Sequence, residues 1–230
     1  MDMTIDKRGG SFYDNSIEGI EIENVTKFCD LGIVLNPKLH FSLHIAQIVA
    51  AAKKRIFLLF RSFVTKDPQA LIKGFKTYIL PLLNYCSPVW SPSTIGDIVL
   101  LETVQRNFTK RIQGCQARTY SDRLKALKLP TLELRRLRAD LILCYKILNN
   151  LIPCTAENFG LILSERQSRG HSKKLAISHV RIDVRKNFFG CRVCAPWNAL
   201  PDNIVNANSI NTFKRLLWEY NLNKFCCFTE

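Results

Sequence analysis

The stretch that decides the fold lies between Pro81 and Leu137 and contains PLLNYCSPVWSP (81–92), LETVQRNFTKRI (101–112) and SDRLKALKLPTLELRRL (121–137). It predicts three helices separated at prolines, because proline bends or ends a helix. In the middle piece, apolar residues recur at steps of three and four, which places them on one helical stripe. These residues are Ile98, Leu101, Val104, Phe108 and Ile112. Arg106 and Lys110 point away from that stripe, so we expect one buried face and one cationic face.

The segment from residue 41 to residue 152 is predicted to be a bundle of helices. Phe41–Phe63 has a continuous apolar stripe, and Asp67-Pro68 is typical of a helix start. Later helices are expected over 94–113, 121–127 and 131–150. The short loops between them favour packing of neighbouring helices. The core of the bundle is expected to contain Ile56, Phe60, Phe75, Tyr78, Leu101, Phe108, Leu137 and Leu141.

Between two of these helices, the prolines at 88 and 92 predict a solvated loop with Trp90 as an aromatic anchor. The bundle is preceded by residues 1–40, which combine a patternless, disordered start with Val25–Leu35, a strand or a pair of short strands. In that strand pattern, Leu31, Ile33 and Leu35 are expected to point inward.

Residues 153–230 are predicted to form a small mixed α/β unit. The alternation over Lys174–Val184 predicts a strand or a hairpin, and Asn187–Val193 is expected to continue as a strand. Ser209 is expected to cap a last helix over Ile210–Tyr220. The predicted fold class is therefore mainly α, a helical bundle preceded by a short β-hairpin and followed by this small unit.

The composition is typical of an intracellular globular protein. The 230 residues are 47% hydrophobic, which suffices for one large or two small domains. The 9 cysteines lack the spacing of a disulfide framework, and no signal peptide is evident, so we expect a reducing compartment, cytoplasm or nucleus. No apolar run approaches the ~20 residues that span a bilayer, so no membrane partner is expected.

The net charge of +14 is unevenly distributed. Residues 1–40 are net acidic, whereas basic residues dominate 53–76, 100–150 and 164–190. Clustered cations are expected of a protein that binds the phosphate backbone of nucleic acids. The alternative is that these cations serve only solubility.

Catalytic or metal-binding residues are not evident. The histidines are too far apart for an acid/base device, and no Asp-Asp pair occurs to hold catalytic metals. Cys191 and Cys194 form a C-x-x-C pair that could contribute to a zinc site with other His or Cys residues. Two free core cysteines are the favoured interpretation. We therefore expect no cofactor.

The amino-acid sequences of several blocks resemble those of one family. These blocks are CDLGIVLNPKLHFSLHI (29–45), PLLNYCSPVW (81–90), LETVQRNFTKR (101–111), YSDRLKALKLPTLELRRLRADL (120–141), RGHSKKL (169–175) and RKNFFGCRVCAPWNALP (185–201). In this order they resemble the region that follows the polymerase palm in reverse transcriptases of jockey-like non-long-terminal-repeat retrotransposons. The resemblance covers nearly all of the chain, from about Tyr13 to Trp218.

This resemblance implies that the bundle is thumb-like and that Asp30, Leu31 and Gly32 correspond to the primer-grip hairpin. The family usually has Lys where Cys29 stands, so a cation of the grip is missing. The aromatic-x-Asp-Asp turn of an RNA-directed DNA polymerase is also missing, so the chain is not expected to be an enzyme on its own. The implied function is that of a non-catalytic fragment that holds template RNA and primer DNA during target-primed reverse transcription. The missing palm of the parent element is a further implied partner.

The expected partner is RNA or an RNA–DNA duplex, recognised by shape. Candidate phosphate contacts are Lys53, Lys54, Arg55, Arg61, Arg106, Lys110, Arg111, Arg169, Lys173, Lys174, Arg185 and Lys186. The alternative function is a helical protein-interaction or structural module, or a translated element remnant, without nucleic-acid binding.

Overall fold

Short strands precede a long series of helices in this chain. The computed structural model describes residues 16–17, 20–21, 25–64, 66–165, 170–177 and 179–228, so the predicted disordered start lies outside the described residues. The strands are β1 (Ser16–Ile17), β2 (Ile20–Glu21), β3 (Phe28–Asp30) and β4 (Ile33–Leu35). The helices are α1 (Ser42–Ser62), α2 (Pro68–Gly74), α3 (Leu80–Asn84), α4 (Ser87–Trp90), α5 (Ile95–Lys110), α6 (Tyr120–Leu127), α7 (Leu132–Leu148), α8 (Asp183–Lys186), α9 (Phe189–Arg192), α10 (Cys194–Asn198), α11 (Asp202–Val205) and α12 (Ile210–Glu219). The predicted fold class, mainly α with an N-terminal hairpin, is confirmed.

The hairpin formed by β3 and β4 is antiparallel and pairs Asp30 with Ile33. Leu31 (φ 45°) and Gly32 (φ 81°) make its two-residue turn, a geometry that the twist of paired strands favours. Ile33 is buried as expected. The inward orientation predicted for Leu31 is wrong, because this residue occupies the turn and is 80% exposed.

The helix starts follow local capping chemistry. Asp67 accepts a hydrogen bond from the backbone N–H of Ala70, and Pro68 occupies the first turn of α2, as predicted. Ser209 caps α12, also as predicted. Three further helices begin at a threonine N-cap, whose side-chain oxygen accepts a hydrogen bond from the backbone N–H three residues later. These three are Thr94, Thr119 and Thr131.

A first hydrophobic core lies among α1 to α5 and the start of α7. Phe108 is fully buried, as predicted, and stacks on Phe75 with ring centroids 4.2 Å apart. Removing a fully buried ring of this kind costs about 3–5 kcal/mol. Tyr78, which was also predicted to be in the core, is 58% exposed. It lies in a π-helical turn, Phe75–Ile79, whose longer repeat buries Ile79 and rotates Tyr78 outward.

Trp90 is not in a solvated loop. It ends the short helix α4, is fully buried, and donates from its indole Nε1 to the carbonyl of Tyr85 at 2.7 Å. Its ring meets His44 edge-on, with centroids 5.3 Å apart. Pro88 therefore lies in the first turn of a short helix, and the indole at the end of that helix is part of the first core.

A second hydrophobic core lies among most of α7 and the C-terminal helices. Leu132, the first residue of α7, belongs to the first core, whereas Leu134 and Leu141 belong to the second. Leu137 is half-buried against the second core. Thus α7, which the sequence assigned to the bundle, contributes to both cores. The division of the chain into domains at residue 152 stays a prediction.

The strands predicted over 174–184 and 187–193 are replaced by one β-bridge, Leu163 to Leu175, and by helices α8 and α9. Within α9, the backbone at Gly190 closely approaches the backbone of Phe159. A Cβ there would lie 2.1 Å from the carbonyl oxygen of Phe159, so only glycine fits. Glycine therefore permits this close packing of α9, which buries Phe189, an arrangement that alternation of apolar residues does not reveal.

Candidate nucleic-acid interface

Helix α1 carries the most uniform cationic surface in the described part of the chain. Lys53, Lys54, Arg55 and Arg61 are all exposed, and the helix contains no Asp or Glu. None of the four forms an ion pair with a described carboxylate. The opposite stripe of α1, including Ile45, is buried in the first core. We call these four residues the α1 cationic face.

Apolar side chains are interleaved with the α1 cationic face. Phe57 is 57% exposed and Leu58 is 56% exposed, so both lie outside the hydrophobic cores. Arg55 Nη1 donates to the carbonyl of Tyr78 at 2.9 Å, which holds the exposed Tyr78 beside the helix. Cations mixed with accessible rings can contact phosphates and sugars or bases together.

The C-terminal end of α5 adjoins the same end of α1. Lys110 is exposed, and the exposed Arg111 places its guanidinium 4.0 Å from the centroid of the Phe60 ring. The rings of Phe60 and Phe108 are in turn 5.7 Å apart. Both predicted cations at this end are therefore on the surface next to α1.

Arg106 differs from its predicted orientation. It is half-buried, with its guanidinium 4.7 Å from the Tyr120 ring and 5.1 Å from the Phe228 ring. It faces the buried carboxyl of Glu102, whose pKa is raised by burial although nearby donors and cations oppose the rise. Because the start of α6 and the C-terminal segment cover this side of α5, Arg106 is not a free surface cation.

Glu102 is the centre of a polar network that ties α5 to α6 and α7. It accepts hydrogen bonds from the hydroxyl of Tyr120 and from the backbone N–H of Leu132 at 3.1 Å. Gln105 donates to the carbonyl of Pro130 at 2.9 Å. Burial, followed by the charge of Glu102, raises the pKa of Tyr120. These bonds fix the helices that carry the candidate cations.

The predicted C-terminal cations are not equivalent. Arg185 and Lys186 are exposed on α8, with Arg185 5.7 Å from the ring of Phe188. Lys173 is half-buried and donates to the side-chain oxygen of Asn149 at 2.8 Å. Lys174 is half-buried as well, and Arg169 lies outside the described residues.

The residues that resemble a primer grip lie at the tip of the β3–β4 hairpin. Asp30 and Leu31 are exposed there, and Gly32 has the positive φ that the turn requires. The hairpin sits against the start of α1, since the backbone N–H of Val34 points to Nδ1 of His44 at 3.4 Å. The turn is therefore accessible, and its position relative to α1 is fixed.

Sequence reasoning missed a second basic and aromatic cleft. Lys125, Lys128, Arg138 and Trp218 line a space of about 210 Å³ between α6 and α12. The guanidinium of Arg138 lies 4.3 Å from the centroid of the Trp218 ring, which is 55% exposed. The signal was present in the sequence, because at 3.6 residues per turn Trp218 lies opposite the apolar stripe of Phe213, Leu216 and Leu217.

Cys191 and Cys194 show no metal-binding geometry in the described chain. Cys194 is buried and its Sγ donates to the carbonyl of Gly190 at 2.9 Å, while burial raises its pKa to about 11. Zinc binds the thiolate, so a raised pKa opposes ligation. Among the described residues, no three His, Cys, Asp or Glu side chains are grouped so that they could hold a metal ion.

None of the helices in the described ranges is both long and apolar enough to cross a membrane.

Comparisons with known proteins identify few relatives. No family model matches the chain, and no solved structure matches it. A protein of Caenorhabditis elegans, named as uncharacterized, is 29% identical over 126 residues. The match covers 54% of this chain and 64% of that protein, which is less than two thirds of the relative's length.

Proposed function

We propose that this chain is a non-catalytic nucleic-acid-binding module that descends from the thumb and downstream region of a retrotransposon reverse transcriptase. Its role would be to hold template RNA and primer DNA while a separate palm performs synthesis in target-primed reverse transcription. The resemblance of the ordered sequence blocks supports this origin. The observation that carries the binding proposal is the α1 cationic face, which is exposed and lacks ion pairs among the described residues.

The geometry of α1 suits a duplex backbone. The helix has 21 residues, and the stretch from Lys53 to Arg61 is about 12 Å long at a rise of about 1.5 Å per residue. At about 3.4 Å of duplex axis per phosphate of one strand, that length spans about three to four phosphates. Each phosphate that is neutralised releases counterions, so binding depends on salt and hardly on sequence.

The test is titration of a fluorescent RNA–DNA hybrid duplex at several salt concentrations, read by anisotropy. Changing Lys53, Lys54 and Arg61 together to Gln should weaken binding and reduce the slope of log K against log salt by about one unit per lost contact. Arg55 is left intact because it holds Tyr78. The matched control changes the exposed Lys214, Arg215 and Lys224 to Gln, which removes the same charge from the C-terminal region.

The proposal is supported if only the α1 variant loses affinity and slope. Equal losses in both variants would mean that net charge alone drives binding. A parent chain without salt-dependent binding would contradict the proposal and favour a protein-interaction module, for which the exposed Leu43, Phe57 and Leu58 on α1 are the supporting observation. Under either function, purified protein should not extend a primer, because the paired aspartates that bind catalytic metals are absent from its sequence.

A further inference from the structure

The cleft at the C-terminal end of α1 has the composition of a nucleotide site. It has a volume of about 470 Å³, within the size range of small-ligand pockets, which is about 300–1,000 Å³. Its walls combine two aromatic rings, two cations and two amides. These are Phe60, Phe63, Lys66, Arg111, Gln113 and Gln116. None of the described residues that line it carries a carboxylate.

The polar groups of this cleft are available. Lys66 and Arg111 are exposed and form no ion pair with a described carboxylate. The side-chain amides of Gln113 and Gln116 are exposed and make no hydrogen bond to any described residue. Each amide therefore keeps both a donor and an acceptor for a ligand.

In one wall of the cleft, the guanidinium of Arg111 already stacks on the ring of Phe60. The guanidinium of Arg111 lies 4.0 Å from the centre of the Phe60 ring, and Phe60 is fixed from behind by Phe108. Planar bases stack on guanidinium groups and on aromatic rings, and the exposed Arg111 offers such a plane. The edge of a stacked base can be read by amide groups, and its phosphate can be neutralised by Lys66.

We propose that this cleft binds one unpaired nucleotide of a single-stranded extension next to a duplex. A base inside a duplex is already stacked on its neighbours and paired with the opposite strand. The aromatic rings and free amides of the cleft can therefore stack on and hydrogen-bond to only an unpaired base. The cleft begins where the α1 cationic face ends, since Phe60 and Phe63 flank Arg61. A strand that leaves a duplex held by α1 would therefore meet the cleft. This inference rests on the proposed function.

The test compares a blunt RNA–DNA hybrid with the same hybrid carrying a four-nucleotide single-stranded extension, by anisotropy at fixed salt. The parent should bind the extended hybrid at least about fivefold more tightly, the lower end of the effect expected for one stacked base. Two variants should lose that preference, and the one that changes only the glutamines should also keep the parent's affinity for the blunt hybrid. Arg111→Lys keeps the charge and removes the plane, and the double variant Q113A/Q116A removes the amides.

The matched controls are Arg118→Lys and Gln47→Ala, at exposed positions outside the cleft, and both should keep the preference. Circular dichroism checks that each variant is folded. Equal parent affinity for both hybrids, or a preference that survives in both cleft variants, would overturn this inference while leaving the proposed function intact. Failure of the parent to bind either hybrid would instead contradict the proposed function.

Discussion

His44 is an ionisable residue placed where only its neutral form fits. It is 3% exposed, its ring meets that of Trp90, and its Nδ1 is the acceptor for the backbone N–H of Val34. An acceptor at Nδ1 requires that this nitrogen carry no proton. Burial accordingly lowers the pKa of His44 below its usual 6.5.

The lowered pKa predicts how stability depends on pH. Below pH 6.5 the unfolded chain takes up a proton at His44 that the folded chain resists, so the contribution of His44 to the free energy of unfolding should fall as pH drops from 7.5 to 5. His44→Gln keeps an acceptor without a titrating ring and should make this fall shallower in urea denaturation. His40→Gln is the control, because it removes an imidazole at an exposed position. An unchanged slope in H44Q would show that His44 is protonated freely in the folded state.

At the scale of elements, Arg192 connects three of them. From α9 it donates to both carboxylate oxygens of Asp140 on α7, at 2.9 and 3.0 Å. The same guanidinium donates to the carbonyl of Pro88 in α4 at 2.7 Å. The Asp140 side chain is only 5% exposed, and burial raises its pKa even though Arg192 opposes this. The ion pair therefore links the first core to the C-terminal helices.

Removing one partner should reveal this link. Arg192→Met should reduce the free energy of unfolding by about 3–5 kcal/mol, because it leaves the buried carboxylate without its bidentate partner. Adding Asp140→Leu should restore much of the loss, since the uncompensated charge is then gone. Arg215→Met is the control, because its pair with Glu219 is more than 60% exposed on both sides and should contribute less than about 1 kcal/mol. Similar losses in R192M and R215M in urea titrations would contradict the argument.

Local signals predicted the helices well, and failed where distant contacts decide. Helix caps such as Asp67 and Ser209 form hydrogen bonds to residues only three positions away, so the sequence alone locates them. The covering of Arg106 by Tyr120 and Phe228 depends on segments far along the chain. The same applies to the close contact between Gly190 and the carbonyl of Phe159, which lies in the helix found where a strand was predicted. For the candidate site, the helical periodicity therefore predicted that the α1 cations are exposed. It did not predict that Arg106 on α5 is covered by other segments.

At the scale of the whole molecule, α7 determines whether the chain behaves as one unit. It contributes Leu132 to the first core and Leu141 to the second, and the ion pair of Arg192 joins the same two regions. Helices that share a buried element are expected to lose their packing together, because exposing one face of α7 removes the support for the other.

Two buried tryptophans can test this cooperativity. Trp90 is fully buried in the first core and Trp197 in the second, so the variants W90F and W197F each leave one core with its fluorescent reporter. Exposed Trp218 contributes a background common to both. After correction for the stability change of each variant, the two reporters should give the same dependence of the free energy of unfolding on urea concentration. Leu101→Ala in the first core should shift the urea midpoint of both reporters by the same amount. A shift seen only through Trp90 would mean that the cores unfold independently, and that the region carrying the α1 cationic face can fold without the C-terminal helices.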